Sequence, residues 1–141
     1  MRGHTLVELL FVLVISGVTV SALAPTARRQ RDRALVIGAR EAVVGLLAEA
    51  RATAMEVGAA SVRITTIPAK AEALVGGVAV RAAALDADFG VALALSGSAV
   101  EVELAYDALG LGRVASQTIT FRRGAETAEL LVSGYGRVRR R

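Results

Sequence analysis

The chain has 141 residues, of which 54% are hydrophobic and 4% aromatic, and it contains no cysteine. This length gives room for one domain, and the lack of cysteine excludes a disulfide framework and thiolate chemistry. The formal net charge is +4, with 17 Lys and Arg against 13 Asp and Glu. The positive excess is concentrated in two clusters, Arg28, Arg29, Arg31 and Arg33 near the start and Arg137, Arg139, Arg140 and Arg141 at the end.

Residues 6–24 form an apolar stretch that contains Glu8 near its start. About 19 residues is the length at which an α-helix crosses the ~30 Å hydrocarbon core of a bilayer. A carboxylate in hydrocarbon costs roughly 2.5–3.5 kcal/mol on insertion scales, so an acidic residue there is expected to have a function. The stretch therefore predicts a membrane-spanning helix with a functional acid.

Two general interpretations of this stretch are open. A cleaved secretory signal would explain the small residues Ala22 and Ala24, but Pro25 would follow the cut, and the apolar region exceeds the usual ~7–15 residues. An ordinary single-pass anchor would put the rest of the chain in the cytoplasm, because four arginines follow the stretch and only Arg2 precedes it. The anchor leaves Glu8 without a role.

A third interpretation comes from residues 3–8 (Gly-His-Thr-Leu-Val-Glu), which resemble the N-terminal motif of type IV pilins and pseudopilins. In that family a short basic leader ends in glycine, a prepilin peptidase cuts after it, and the new N-terminus is methylated. The resemblance implies cleavage between Gly3 and His4 and N-methylation of His4, which stands where the family usually has phenylalanine. Pro25 matches a proline that the family often carries near the end of the apolar stretch. We favour this interpretation.

The same resemblance gives Glu8 a role in assembly, together with its neighbours Thr5 and Leu6. During filament assembly the Glu8 carboxylate would face the N-terminal amine of a neighbouring subunit. Pairing offsets the cost of a charge in an apolar environment, whereas an isolated buried charge is strongly penalised. The alternative is that Glu8 lies hydrated at the depth of the lipid headgroups.

Pro25 predicts an end or a kink of the first helix, because proline lacks an N–H and its ring clashes with the preceding turn. In the pilin family a long helix bends at this point and continues. Residues 33–58 show the 3.6-residue period of an amphipathic helix that packs on a globular domain, and Gly58 is the predicted stop. The apolar face is predicted to contain Val36, Val43, Leu47, Ala50, Ala54 and Val57.

The remainder of the chain is predicted to be β-structure. Residues 123–126 are a predicted hairpin loop, Gly76-Gly77 a bulge or turn, and residues 105–117 a glycine-rich loop. Strands are predicted over residues 61–67, 73–81, 91–95, 100–104, 118–123 and 127–132, with a final strand at 136–140. The predicted class is α+β: a long N-terminal helix, membrane-spanning in its first half, packed on a C-terminal antiparallel β-sheet domain.

The second half of the chain narrows the family resemblance. Residues 106–110 (Tyr-Asp-Ala-Leu-Gly) and 130–140 (Leu-Leu-Val-Ser-Gly-Tyr-Gly-Arg-Val-Arg-Arg) are similar to the end of the GspH/FimT family of minor pseudopilins. That family often ends in a strand, a short turn and Gly-Arg-hydrophobic-Arg. The resemblance implies a pilin-like fold in three parts, a leader (1–3), a transmembrane and assembly helix (4–27) and a globular domain (28–141).

No residue pattern predicts an enzyme, a metal site or a cofactor. The only histidine is His4, so neither a Ser-His-Asp triad nor a histidine-rich metal site can be assembled. Asp86 and Asp88 are interpreted as a solvated pair in a loop. Residues 110–112 (Gly-Leu-Gly) lack the lysine and the strand-to-helix context of a phosphate-binding loop and are interpreted as a turn.

The C-terminal arginines carry an alternative function. Four guanidiniums, those of Arg137, Arg139, Arg140 and Arg141, could neutralise DNA phosphates, each adding a salt-dependent share of affinity. Tyr135 is the only aromatic residue in this segment, so sequence-specific recognition is not expected. The simpler interpretation is a solvated edge strand whose charge discourages aggregation. The arginines after the first helix are expected to meet anionic lipid headgroups, at about 1 kcal/mol each.

The leading hypothesis is a minor pseudopilin of a type II secretion pseudopilus or a type IV pilus. The resemblance implies a single-pass inner-membrane protein with its C-terminal domain in the periplasm, whereas the positive-inside rule favours the cytoplasm; we follow the resemblance. The implied partners are a prepilin peptidase, other major and minor pilins, the inner-membrane assembly platform and membrane lipid. The alternative is a minor pilin that binds DNA for uptake through its arginine tail.

Overall fold

The computed structural model describes residues 5–113 and 115–141, but not the side chains of residues 18–25. The predicted leader, residues 1–3, and His4 therefore lie outside the described residues. The chain divides into two compact units, Met1–Arg31 and Asp32–Arg141. The second unit contains all the β-structure.

Helix α1 spans Leu6–Val57, a length of 52 residues. It continues through position 25, so of the two outcomes predicted for Pro25 a helix end is wrong. A proline removes one intrahelical hydrogen bond at a cost of about 3 kcal/mol, and the bonds of the turns on either side maintain the helix. The predicted stop at Gly58 is confirmed, because its N–H makes the last bond of the helix, to the Ala54 C=O at 2.8 Å.

After α1 the chain forms two antiparallel four-stranded sheets. The first contains β1 (Ala59–Thr66), β2 (Ala69–Val75), β3 (Val78–Ala84) and β5 (Glu101–Asp107), in the order β3-β2-β1-β5. The second contains β4 (Ala92–Leu95), β6 (Gln117–Arg123), β7 (Glu126–Val132) and β8 (Val138–Arg140), in the order β4-β6-β7-β8. The short helix α2 (Leu85–Phe89) and a 3-10 turn (Ser96–Ser98) flank β4. The predicted α+β class, with a long N-terminal helix and antiparallel β-structure, is confirmed.

The turns explain where the predicted strands differ from the observed ones. Of the bulge or turn predicted at Gly76-Gly77, the turn is confirmed: at φ of +59° and +80° these residues reverse the chain between β2 and β3, so the stretch 73–81 is a hairpin and not one strand. Two successive positive φ angles are typical of the type I′ hairpin turn. The loop predicted at 123–126 is confirmed, since Arg123 pairs with Glu126 across two turn residues.

The core of the Asp32–Arg141 unit is built from α1 and both sheets. Five of the six residues predicted for the apolar helix face are at most 2% exposed: Val36, Val43, Leu47, Ala50 and Ala54. The sixth, Val57, is 59% exposed, so its predicted burial is wrong. Val57 is the last residue of α1, and the space beside the next residue is also open, because a Cβ on Gly58 would meet no atom of the packed chain within 4 Å. Phe121 on β6 is fully buried in the same core.

Candidate assembly helix and C-terminal arginine strand

The first turn of α1 contains the described residues that were predicted to function in assembly. Leu6 is the first helical residue. The C=O of Thr5 accepts hydrogen bonds from the N–H of Glu8 at 3.0 Å and the N–H of Leu9 at 3.2 Å. Thr5 therefore precedes the helix directly, and Glu8 is its third residue. Residues 3 and 4, the predicted cleavage and methylation positions, lie outside the described residues.

The spacing of Thr5 and Glu8 is a local signal that the motif-based prediction did not use. Thr followed three residues later by Glu is the sequence of a capping box at a helix N-terminus. The backbone bonds place Thr5 at the N-cap and Glu8 in the first turn. The positive end of the helix dipole favours a carboxylate there, typically by ~0.3–1 kcal/mol. The helix start thus lowers the cost of a carboxylate next to apolar side chains.

The side chains that follow form an apolar surface on every side of the helix. The large hydrophobic residues from Leu6 to Ile15 are 55–81% exposed. A helix that is hydrophobic all round is normally covered, either in the core of a larger assembly or in a membrane. We call this surface the assembly surface.

Among the described residues, no helix combines the length and the apolar character needed to cross a bilayer. Residues 18–24 of the predicted span lie where the side chains are not described.

At the other end of the chain, β8 is an edge strand of the second sheet and pairs antiparallel with β7. Beyond the strand, Arg141 and Glu129 exchange both backbone hydrogen bonds, at 3.0 and 3.1 Å. The predicted final strand is therefore confirmed. Because side chains alternate across a strand, successive arginines lie on opposite faces.

Arg140 differs from the other C-terminal arginines because it has a carboxylate partner. Its Nε and Nη2 donate to the two carboxylate oxygens of Glu41 on α1, each at 3.0 Å. Arg40 donates to the same carboxylate from Nε at 3.1 Å and Nη2 at 3.0 Å. The hydrogen bonds from Arg140 are the main cause that lowers the pKa of Glu41, and they raise the pKa of Arg140. Arg140 therefore ties β8 to the helix.

Arg137, Arg139 and Arg141 are exposed. Alternation puts Arg139 and, just beyond the strand, Arg141 on the face opposite to Val138, which packs against the core, whereas Arg137 lies in the turn before β8. The backbone of Arg137 is fixed by Ser133, whose Oγ accepts its N–H at 3.1 Å and whose N–H donates to its C=O at 2.9 Å. None of the three guanidiniums forms an ion pair with another described residue. We call these three residues the arginine face.

Asp86 and Asp88 lie in the first turn of α2, so their predicted position in a loop is wrong. Five residues are too few to show a helical period in the sequence. Asp86 Oδ1 accepts a hydrogen bond from the N–H of Ala87 at 2.8 Å. Within the part of the chain that the structure describes, no three acidic or histidine side chains are grouped as metal ligands would be.

The glycine-rich motif at residues 110–112 belongs to a turn after β5, as predicted, and Asp107 holds this turn together. Asp107 Oδ1 accepts the N–H groups of Leu109 and Leu111, both at 3.0 Å, and Oδ2 accepts Arg113 Nε at 2.9 Å. These hydrogen bonds lower the pKa of Asp107, and the bond from the Leu111 N–H has the largest effect. An Asp that begins a turn is a general turn signal, but only the structure identifies its donors.

No protein-family model matches the chain, and no curated protein matches it in sequence. Its structure is similar to two crystal forms of the type IV minor pilin FimU from Pseudomonas aeruginosa strain PAO1. The first has a TM-score of 0.60 and 17% sequence identity, over 77% of this chain and 90% of the FimU chain. The second has a TM-score of 0.57 and 17% identity, over 74% of this chain and 90% of the FimU chain. The likeness establishes that this chain has a pilin-like fold.

Proposed function

We propose that this chain is a minor pilin-like subunit that assembles, through the N-terminal half of α1, into a type II secretion pseudopilus or a type IV pilus. The observation that carries the proposal is the assembly surface, Leu6 to Ile15, on a chain with a pilin-like fold. Burial of apolar surface contributes roughly 25 cal/mol per Å². This surface is therefore expected to be covered by inner-membrane lipid before assembly and by neighbouring pilin helices afterwards. Such a subunit contributes contacts rather than catalysis.

The proposal divides the chain into a leader (1–3), a transmembrane and assembly helix (4–27) and a periplasmic globular domain (28–141). The globular part is supported by the Asp32–Arg141 unit, which has a hydrophobic core of its own. A prepilin peptidase removes the leader by cutting between Gly3 and His4, and His4 is then N-methylated. An inner-membrane assembly platform then inserts the subunit among major and minor pilins.

Glu8 is proposed to set the position of the subunit in the filament. It lies in the first turn of α1, close to the proposed new N-terminus. A carboxylate there is favoured by the helix dipole and would be stabilised further by the amine of an adjacent subunit. A subunit docked in the wrong register would leave both charges in apolar surroundings, which penalises that register.

The first test of the proposal is the intact mass of the protein taken from membranes of cells with and without a prepilin peptidase. We expect loss of Met1-Arg2-Gly3 only when the peptidase is present, with one added methyl group on the fraction that is N-methylated. Replacing Gly3 with Leu should block the cut, whereas Arg2→Gln, which leaves the glycine in place, should still be cut.

An unprocessed N-terminus in both strains would contradict the pilin-like function and return the N-terminal segment to a simple anchor. A new N-terminus at Pro25 would instead identify a cleaved secretory signal. The unprocessed protein, the protein without residues 1–3 and the protein without residues 1–24 all differ in mass, so the measurement separates the three interpretations.

A second candidate function, DNA binding during uptake, is favoured by the arginine face. Three exposed guanidiniums, one in β8 and one on each side of it along the chain, could each neutralise a phosphate. For about three phosphates on duplex DNA, the slope of log K against log salt would include a contribution of about −2.7. Arg140 is not included, because its guanidinium is bound to Glu41.

Salt-dependent binding of fluorescent duplex DNA to the full chain tests this second function. The triple change Arg137→Gln, Arg139→Gln and Arg141→Gln should weaken binding and reduce the salt slope by about 2–3. The control changes Arg28, Arg29 and Arg31 to Gln, which removes the same charge from the other cluster and should have little effect. Equal losses in both triples would contradict a role for the arginine face.

A further inference from the structure

An open groove of about 510 Å³ lies within the Asp32–Arg141 unit. One wall is a face of α1 on which lining residues recur every three or four positions, including Val44, Leu47, Ala48, Ala52 and Met55. This spacing is that of one helix face. The wall is apolar, and Met55 is 54% exposed although its side chain is hydrophobic.

The opposite wall is formed by Tyr106 at the end of β5 and by the turn before β8. Tyr106 is 3% exposed, whereas Tyr135 at the rim is 80% exposed. Gly136, at φ +79°, packs so closely that a Cβ there would lie 2.6 Å from the Tyr106 ring and 3.1 Å from the Gly112 nitrogen. The Gly136 N–H also donates to the Ser133 C=O at 2.8 Å. This turn is therefore closely packed, and it holds Tyr135 at the edge of the groove.

Two arginines give the groove its charge. Arg51 on α1 and Arg137 on the opposite wall line it, and no carboxylate does. Neither guanidinium forms an ion pair within residues 5–113 and 115–141. Burial raises the pKa of Tyr106, while the positive charge of Arg51 acts in the opposite direction. The groove is thus mainly apolar, and the two arginines that line it form no ion pair with another described residue.

Exposed hydrophobic side chains continue the apolar surface beyond the groove. A Cβ on Gly110 would lie 3.1 Å from Met55 Sδ and 3.2 Å from Arg51 Cγ, so the loop after β5 packs beside the groove. Leu109 and Leu111 in this loop are 74% and 41% exposed. A contiguous exposed apolar patch with a polar rim is typical of an interaction site.

We propose that this groove binds an acidic peptide segment of a partner protein, with one or two large hydrophobic side chains inserted between α1 and Tyr106. Carboxylates of the segment would pair with Arg51 and Arg137, where Arg can form two hydrogen bonds to one carboxylate. Tyrosine, methionine and arginine are enriched at protein interfaces, and tyrosine and arginine at their energetic centres. This inference does not depend on the N-terminal processing or on the filament role.

The probe is a random twelve-residue peptide library displayed on phage and selected on the full chain in detergent micelles. Phage that also bind the Arg51→Glu/Arg137→Glu variant are removed first. We expect the selected peptides to contain Asp or Glu beside Leu, Ile, Phe or Trp. Synthetic copies should bind with an affinity that falls as salt rises, because the ion pairs at the rim are partly exposed.

Fluorescence anisotropy with the selected peptide then tests the site residue by residue. Arg51→Glu/Arg137→Glu should weaken binding at least tenfold. Ala52→Trp, at an exposed helix position that lines the groove, should also weaken it at least tenfold without changing any charge. The matched control Arg122→Glu/Arg139→Glu reverses two exposed arginines that do not line the groove, and it should change affinity less than threefold. Circular dichroism shows that each variant is folded.

Several outcomes would overturn the proposal. The first is a library that enriches no peptide over the variant, or only basic or uncharged peptides. The second is a control pair that weakens binding as much as the groove pair, which would indicate non-specific charge attraction. If duplex DNA displaced the peptide when both were present at the same concentration of negative charge, the groove would be a nucleic-acid site instead. Self-association of the free protein that is lost in the groove variants would identify a second copy of this chain as the occupant.

Discussion

The two halves of α1 have similar hydrophobic content but different surroundings. In the second half, apolar residues recur on one face and are buried, with Val43 at 0% and Leu47 at 1% exposure. In the first half they surround the helix and are exposed, with Leu13 at 63%. The second half packs on sheets of the same chain, whereas the first half must be covered from outside. An apolar stripe with the helical period is therefore typical of a helix that packs on its own domain. A helix that is apolar on every side is typical of one covered by a membrane or by other helices.

The largest expected effect tests this contrast directly by removing a leucine from each half. Leu47→Ala should lower the free energy of unfolding of the globular part by about 2–5 kcal/mol, because it creates a cavity in the core. Leu13→Ala should change it by less than about 0.5 kcal/mol, since Leu13 is exposed. Denaturant unfolding of the full chain in detergent, followed by circular dichroism, measures both. Equal effects would contradict the difference between the halves.

The next largest loss of stability is expected from Arg123, which contacts Asp32 near the start of the second half of α1. Arg123 Nε donates to Asp32 Oδ1 at 2.7 Å, and Nη1 donates to the Phe89 C=O at 2.7 Å. The Arg123 side chain is 28% exposed, so Arg123→Ala should cost about 1–3 kcal/mol by leaving partly buried acceptors without a donor. Arg122→Ala, at an exposed neighbouring position, is the control and should cost less than about 0.5 kcal/mol. Similar thermal unfolding of the two variants would exclude a structural role for Arg123.

A smaller change, this time an increase in the free energy of unfolding, is expected for one of two glycines in the second half of α1. A Cβ at Gly45 would meet no atom within 4 Å, so Gly45→Ala should stabilise the globular part by about 0.5–1 kcal/mol. A Cβ at Gly38 would lie 3.0 Å from Phe89 Cε1, so the gain there should be offset by displacement of the ring. Thermal unfolding compares the two. If Gly38→Ala stabilised as much as Gly45→Ala, the close approach of Phe89 to the helix would be incorrect.

The smallest expected effect is the pH dependence that comes from Glu41. Its pKa is lowered from 4.5 in the folded protein, mainly by Arg140, so its contribution to stability is present above pH 4.5 and is lost as pH falls through the folded pKa. The Glu41 side chain is 40% exposed, which limits the effect to no more than about 1 kcal/mol. Glu41→Gln should therefore destabilise at pH 7 and converge with the parent protein in acid. Urea unfolding across this pH range measures the difference.

Arg140→Gln provides the control for the Glu41 prediction. It should reproduce most of the loss caused by Glu41→Gln, and the double variant should add little, because both changes remove the same interaction. Strictly additive losses would show that Glu41 and Arg140 act independently.

The sequence by itself determined the local structure of this protein. The helical period predicts the buried face of α1 from Val36 to Ala54, and Gly58 marks its end. The alternation of residues and the turn at 123–126 predict most of the strands. These features depend on neighbours within a few positions along the chain, so they can be recognised without knowledge of the fold.

Only the tertiary structure decided how distant segments meet. It divides the strands between two sheets and joins Arg140 to Glu41 across 99 positions of sequence. It also forms the groove, whose walls come from α1, β5 and the turn before β8. Arg137 and Arg140 look equivalent in the sequence, yet one is exposed beside a groove and the other ties a strand to a helix. Their difference arises from strand pairing and helix packing between remote parts of the chain, which no local pattern of residue types specifies.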